Sequence, residues 1–369
     1  MGPTDLIADI DEMAPRFAER DAVDSEKFPA ANLEELKSAG ALHAPLPPRL
    51  GGRDTSLADA VRAVEAVAAA SPSTALLLAM PLGLAGVYAL GPDIAPDEHR
   101  ASWEAQIDAV AADFRAGKFY AACNSEKGAG GSLANTKTIA ARDADGGFRL
   151  TGEKILASSG RFGDVFFSTA KTQPEDLPGC GIVEFFFLRT DAPGVQIMSD
   201  WNGFGMRSTE SQTVRFEKAP ADAVMGFPNF IEAVQPLEYW FCLFAAIPLG
   251  CSSSMLRALG DPAPSSPALR LRLTDAQMRI EALRAYLLET AAGWRAAAGP
   301  AYKARVLRTK TYVTQESTKL CAELFALGGG RHYVRDAALA RALAASFAGT
   351  ALRPPLPLAL DALVEQFSL

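Results

Sequence analysis

The sequence predicts an α+β protein in three units: a helical block, a β block and a second helical block. Three observations carry that expectation. Residues 1–115 repeat apolar side chains at the three-to-four spacing of amphipathic helices. Residues 116–222 switch to short β-branched and aromatic runs bounded by Gly, Pro and Asp. Residues 223–369 return to helical periodicity in longer segments. At 369 residues the chain also exceeds what one small core can organise.

The N-terminal helices follow from pattern and punctuation. Leu6–Ala18 has helical spacing, and Asn32–Ala39 forms a second amphipathic helix that stops at Gly40. Pro45-Leu-Pro-Pro-Arg-Leu-Gly-Gly52 breaks the pattern. Ser56 caps an alanine-rich helix over Leu57–Ala70. Ser71-Pro-Ser-Thr opens Ala75–Leu90, apolar nearly all round and so expected to be buried, and Asp97–Val110 closes the block.

The middle unit begins with the most informative stretch, Tyr120–Gly160. A short apolar run leads into a turn of small residues, Ser125-Glu-Lys-Gly-Ala-Gly-Gly-Ser132. Gly128, Gly130 and Gly131 let backbone N–H groups approach a ligand, although an ordinary glycine-rich connection reads the same way. Strands at Lys137–Arg142 and Phe148–Thr151 flank Asp143-Ala-Asp-Gly-Gly147, a hairpin signal. Further strands fall at Val165–Ala170, Gly181–Leu188, Val195–Met198 and Gln212–Phe216.

The C-terminal unit reads as long bundle helices over Phe230–Leu259, Ala268–Ala298 and Pro300–Leu327, the last stopped by Gly328-Gly-Gly330. Asp261-Pro-Ala-Pro-Ser-Ser-Pro267 is a break, and prolines bar a helix across Ala351–Pro357. Trp240, Phe241 and Phe244 fit either a subunit interface or the bundle core.

Composition narrows the function. A formal charge of −7 argues against nucleic-acid binding, which needs a basic face. No uninterrupted apolar run reaches the length of a membrane span, and the acidic N-terminus does not read as a secretory signal. Five scattered cysteines without a CxxC or Cys/His cluster read as buried thiols of a cytoplasmic protein, with no metal site. His43, His99 and His332 stand far apart and read as structural or surface residues.

Four motifs in order give a resemblance. Leu46-Pro-Pro-Arg-Leu-Gly-Gly52 looks like a "P-x-x-x-G-G" link, and Cys123-Asn-Ser-Glu-Lys-Gly-Ala-Gly-Gly-Ser132 looks like a "T-E-P-G-A-G-S-D" turn. Gly152-Glu-Lys-Ile-Leu-Ala-Ser-Ser-Gly160 looks like "G-x-K-x-W-I-T-N/S-G", and Gly203–Ser211 looks like "G-x-R-x-T-x-S". Together they resemble the acyl-CoA dehydrogenase superfamily of flavoproteins over residues 5–345. The resemblance implies an N-terminal helical domain (1–115), a middle β-barrel-like domain (116–222) and a C-terminal four-helix bundle (223–369). It implies FAD, a small-molecule substrate such as an acyl-CoA, and a homodimer or homotetramer. By the resemblance, Asn124, Ser125, Gly130, Gly131, Leu156 and Ser158 hold the flavin ring. Phe325, Gly328 and Gly329 match a "Q-x-L-G-G" segment that reaches a neighbouring subunit's cofactor. Leu156 replaces the usual aromatic residue and Phe325 a polar one. The "R-x-x-F-G" phosphate motif is absent; Arg270 or Arg272 stands nearby as a substitute cation or as an ordinary solvated charge.

Family dehydrogenases need a carboxylate to take a proton beside the thioester carbonyl. The glutamate of their "Y-E-G-T" segment is matched here by Ala348 in Phe347-Ala-Gly-Thr350, and a gapless count lands instead on Leu352 or Arg353. Glu238 lies near an alternative position, but two residues off, which turns a helical side chain by roughly 200°. The catalytic residue is thus unassigned, and three readings stand. One is an FAD-dependent oxidoreductase acting on an acyl thioester or related small substrate, with a relocated base or none. A second is a monooxygenase of the same fold that uses reduced FMN or FAD and dioxygen as co-substrates. The third is a non-catalytic scaffold or partner subunit.

Overall fold

The computed structural model describes residues 5–173, 175–176 and 183–367. Five helices come first: α1 (Leu6–Val23), α2 (Ala30–Ser38), α3 (Leu57–Ala70), α4 (Pro72–Tyr88) and α5 (Asp97–Arg115). Asp5 accepts from the Ile7 N–H, and the Ser56 hydroxyl accepts from the Asp59 N–H, so both helices start where a side chain satisfies a free donor. Every residue of α4 from Ser73 to Tyr88 is buried, as its all-round apolarity requires.

The middle strands are β1 (Tyr120–Ala122), β2 (Ile139–Arg142), β3 (Phe148–Ala157), β4 (Val165–Lys171), β5 (Val183–Arg189), β6 (Val195–Ile197), β7 (Gln212–Ala221) and β8 (Ala223–Val224). They form one sheet in the order β6-β7-β3-β2-β4-β5-β8, with β1 running parallel to β4. The hairpin at residues 143–147 joins antiparallel β2 and β3 as its turn residues predict. β2 starts two residues later than expected because the Lys137 and Thr138 N–H groups donate to the Glu126 carboxylate instead of a ladder. Gly181 and Ile182, expected in β5, and Cys180 lie outside the described residues.

The last block holds α6 (Phe230–Val234), α7 (Leu237–Gly260), α8 (Pro267–Ala292), α9 (Pro300–Leu327), α10 (Ala338–Ser346), α11 (Ala348–Ala351) and α12 (Leu356–Glu365). The single helix expected over Phe230–Leu259 is broken, since Gln235 is left-handed (φ 55°) and Pro236 lacks an N–H. The helix expected to reach Ala298 ends at Ala292, before Gly293. α12 accommodates Pro357 in its first turn, where no intrahelical N–H is needed, so helix resumes sooner than the prolines suggest.

α7 packs on α8, α9 and α10 and carries α3 on another side, joining both helical blocks. α7 is also long and apolar enough to cross a membrane by length and composition, although charged and polar residues interrupt its apolar run. Most of its apolar window is buried inside the fold, the pattern of a core helix. The four cysteines among the described residues are buried; burial pushes the Cys123, Cys242 and Cys321 thiols up to about 12, which disfavours the reactive thiolate.

Candidate active site

A cavity of about 280 Å³ lies where the ends of β1 and β3 meet α7. The sheet brings these ends together by register. β1 pairs with β4 from Tyr120↔Val165 to Ala122↔Phe167, and just beyond it Ser125 bridges Ile155 of β3. Asn124, Ser125, Leu156 and Ser158 therefore line one cavity, although they come from two separate motifs. Asn124 is fixed by its Oδ1, which accepts from the Thr169 N–H at 2.9 Å.

Beneath this wall a buried ion pair ties the glycine-rich turn to the sheet. Lys154 Nζ donates to Glu126 Oε1 at 2.6 Å, with the two side chains 0 % and 3 % exposed. Lys154 also donates to the Thr169 carbonyl, and Glu126 accepts from Thr138 Oγ1. Burial works to raise the Glu126 carboxyl, but Lys154 and these donors outweigh it and hold it below its ordinary range.

Between Lys154 and Ala157 the β3–β7 register shifts. There Leu156 takes a left-handed backbone (φ 58°), and its side chain lines the cavity. A non-glycine residue in this conformation costs about 1–3 kcal/mol, a strain that clusters at functional sites. Past the bulge, Ser158 Oγ meets Ser211 Oγ at 3.0 Å, and Ser211 Oγ meets Thr209 Oγ1 at 2.7 Å. Thr209 gives its proton to the Met206 carbonyl. Ser211 must then donate to Thr209 and Ser158 to Ser211, because each hydroxyl has one proton. Ser158 thus presents an acceptor oxygen to the cavity.

The opposite wall is aromatic. Leu237, Trp240, Phe241 and Phe244 recur on one face of α7, and the Trp240 ring lies 5.6 Å from that of Phe167 on β4. Trp240 reaches its place over Gly83 of α4, where a Cβ would stand 2.0 Å from the indole nitrogen. Trp240 Nε1 donates to the Met80 carbonyl at 3.2 Å.

The third wall comes from the chain's end: Ala344, Phe347, Ala348, Ala351, Leu352 and Arg353. Both positions matched to the family's glutamate thus face the cavity, and neither is acidic. Among the described residues lining it there is no Asp, Glu or His, and the only charged one is Arg353. Glu238 does not line it. One Glu238 oxygen is buried without a hydrogen-bond partner, and burial raises its carboxyl.

The other residues assigned by resemblance lie elsewhere in this chain. Gly130 is exposed, and Gly131 (φ 80°) is covered by Pro355, which a Cβ would meet at 2.4 Å. Phe325 lines a separate cavity with Phe204 and Arg341, Gly328 packs on Leu339 and His332, and the Gly329 carbonyl accepts from the His332 N–H. Arg270 donates to the Pro264 and Ser265 carbonyls, holding its own loop, and Arg272 is exposed. The aromatic wall and the Glu126–Lys154 pair are not evident from the sequence, whereas the gapless count places Leu352 or Arg353 at the glutamate's position. Only the motif spacing of Glu126 and Lys154 signalled either of the first two in advance.

Comparison with known proteins agrees with this architecture. The chain matches the acyl-CoA dehydrogenase N-terminal domain over residues 10–103, the middle domain over 121–219 and a C-terminal domain over 254–344. It is 24 % identical over 348 residues to a Bacillus subtilis (strain 168) protein named Probable acyl-CoA dehydrogenase, covering 90 % of this chain and 87 % of that one. It is 30 % identical over 223 residues to the L-evernosamine nitrososynthase of a Micromonospora species, covering 59 % of this chain and 49 % of the relative. Among solved structures, KijD3 in complex with FMN and dTDP-3-amino-2,3,6-trideoxy-4-keto-3-methyl-D-glucose superposes with a TM-score of 0.83 at 22 % identity, covering 98 % of this chain and 92 % of that one. The chain belongs to the acyl-CoA dehydrogenase family of flavoprotein oxidoreductases.

Proposed function

We propose that this protein is a flavin-dependent monooxygenase, acting with reduced FMN or FAD and dioxygen on a small substrate bound in the cavity beside α7. One observation carries the reading: where a dehydrogenase needs a carboxylate, the described wall offers Ala348, Ala351, Leu352 and Arg353. Without a base at that wall, abstraction of a proton from an acyl thioester has no acceptor.

The residues present suit a flavin. Asn124, Ser125 and Ser158 would hold the ring's polar edge, and the Phe167–Trp240 pair, its rings inclined by 30°, supplies aromatic contact. When bound, a reduced flavin supplies the electrons that activate dioxygen. The chain's own part is to position and exclude. An acceptor at Ser158 favours a ring N–H, which the reduced flavin carries in greater number than the oxidised form. The aromatic and alkyl walls keep water away from the reacting face. The 30 % identity to a nitrososynthase supports the same reading.

A second reading, oxidation of an acyl thioester, is favoured by the full-length similarity to a protein named a probable acyl-CoA dehydrogenase. Anaerobic mixing of the flavin-loaded protein with a panel of acyl-CoAs separates the two. The monooxygenase reading expects the flavin to stay oxidised with every thioester, and the pre-reduced protein to react with dioxygen in a kinetic phase that free flavin lacks. Rapid bleaching by any acyl-CoA would refute it.

A further inference from the structure

The guanidinium of Arg353 has no role in holding the fold that accounts for where it lies. Its Nη1 is buried and without a hydrogen-bond partner. Its Nη2 makes a single long bond, 3.3 Å, to the Asn124 carbonyl. The acid whose charge acts on it, Glu126, is already engaged by Lys154, Thr138 and the Lys137 N–H. Burial lowers Arg353 to about 10, with Glu126 opposing, so it is charged at neutral pH.

The segment that carries it is held from outside the cavity. Lys310 Nζ on α9 donates to the Leu352 carbonyl at 2.9 Å and the Pro354 carbonyl at 2.7 Å, the two peptides either side of Arg353. A fixed cation with one arm unpartnered and the other only weakly engaged, set among apolar walls, is the arrangement that recognises a planar anion bidentately.

We propose that Arg353 anchors the substrate through a carboxylate or an equivalent planar anion, so that the cavity selects small, largely apolar acids. The proposal rests on reading this cavity as the substrate site. One cation suits a single carboxylate better than a cofactor diphosphate, which calls for several donors. Apolar walls then receive the remainder of the molecule.

The test is calorimetric titration of the full-length protein, with and without bound FMN, using benzoate and its neutral isostere benzamide. Binding is the readout, so the result stands whether or not the oxygenase chemistry of the preceding section holds. The wild type is expected to prefer benzoate by about tenfold or more, as a charge-assisted hydrogen bond warrants. Arg353→Gln is expected to abolish that preference while leaving benzamide unchanged. Arg353→Lys keeps the charge and is expected to retain a reduced preference, which covers the case in which the glutamine variant does not fold. Equal affinity of the wild type for the two probes would overturn the proposal. So would a glutamine variant that keeps the preference, or one that loses only its preference for FMN over riboflavin, which would make Arg353 a cofactor-phosphate ligand.

Discussion

Replacing Glu126 by Gln isolates the tether beneath the cavity. The wild-type carboxylate accepts from Lys137 N at 2.5 Å, Thr138 N at 3.1 Å, Thr138 Oγ1 at 2.7 Å and Lys154 Nζ at 2.6 Å. Glutamine keeps one acceptor oxygen and turns an NH₂ towards donors. Lys154, wholly buried, loses its counter-charge and keeps only neutral acceptors, the Thr169 oxygens and at most the glutamine carbonyl. Removing one partner of a buried ion pair costs about 3–5 kcal/mol. The urea midpoint multiplied by the m-value should register a loss of that size. Because Ser125 precedes Glu126 in the turn, FMN affinity should fall as well, by more than the tenfold that about 1.4 kcal/mol represents. The double variant Glu126→Gln with Lys154→Met removes the stranded charge and should be less destabilised than the two single losses summed, by about 0.5–3 kcal/mol. A single-variant loss below about 1 kcal/mol, or strict additivity, would refute the argument that this pair fixes the turn.

Other predictions follow from the same geometry. Gly83→Ala gains helix propensity of up to about 1 kcal/mol but overlaps Trp240, so the net effect should be destabilisation by about 1–3 kcal/mol with a shifted tryptophan emission; an unchanged emission maximum would contradict the contact. Lys310 is lowered by burial to about 7, so between there and its ordinary value of 10.5 the unfolded chain binds more protons and stability rises with pH. Comparing urea midpoints from pH 7 to 10, wild type should gain stability relative to Lys310→Met; a parallel pair of curves would count against it. Glu238 has the opposite sign. Its carboxyl is raised by burial, so its stabilising share is complete at low pH and lost as pH climbs through the raised value. Glu238→Gln should flatten that slope and leave flavin affinity unaltered, whereas loss of flavin affinity would place Glu238 in the site.

Much of the fold was legible because its signals are local. Ser56 marks the start of α3 and the hairpin residues Asp143–Gly147 mark the β2–β3 turn. Asn124, Ser125, Leu156 and Ser158 were legible as a group only through motif resemblance, since nothing local says that Ser125 will bridge Ile155. The offset of Glu238 was readable from the helical turn of 100° per residue, and the structure places Leu237, Trp240, Phe241 and Phe244 on the cavity face without it. What stayed hidden depends on non-local packing. The ring of Trp240 reads as core or interface until Gly83 and Phe167 are placed around it. Arg353 is reached by a gapless count from Gly328 and Gly329, but its cation's setting depends on Lys310, 43 positions earlier, which holds its segment beside Asn124. Phe325 and Gly329 stand away from this cavity, Phe325 lining a separate one.

Flavin titration of the wild type against Ala122→Trp, followed by quenching of flavin fluorescence and with circular dichroism to establish folding, tests the core of this account most directly. Ala122 lines the cavity at the end of β1, and an indole there would fill space assigned to the flavin ring. Saturable binding by the wild type, weakened at least about tenfold in a natively folded variant, is the expected result. Equal binding by both proteins, or none by the wild type, would contradict it.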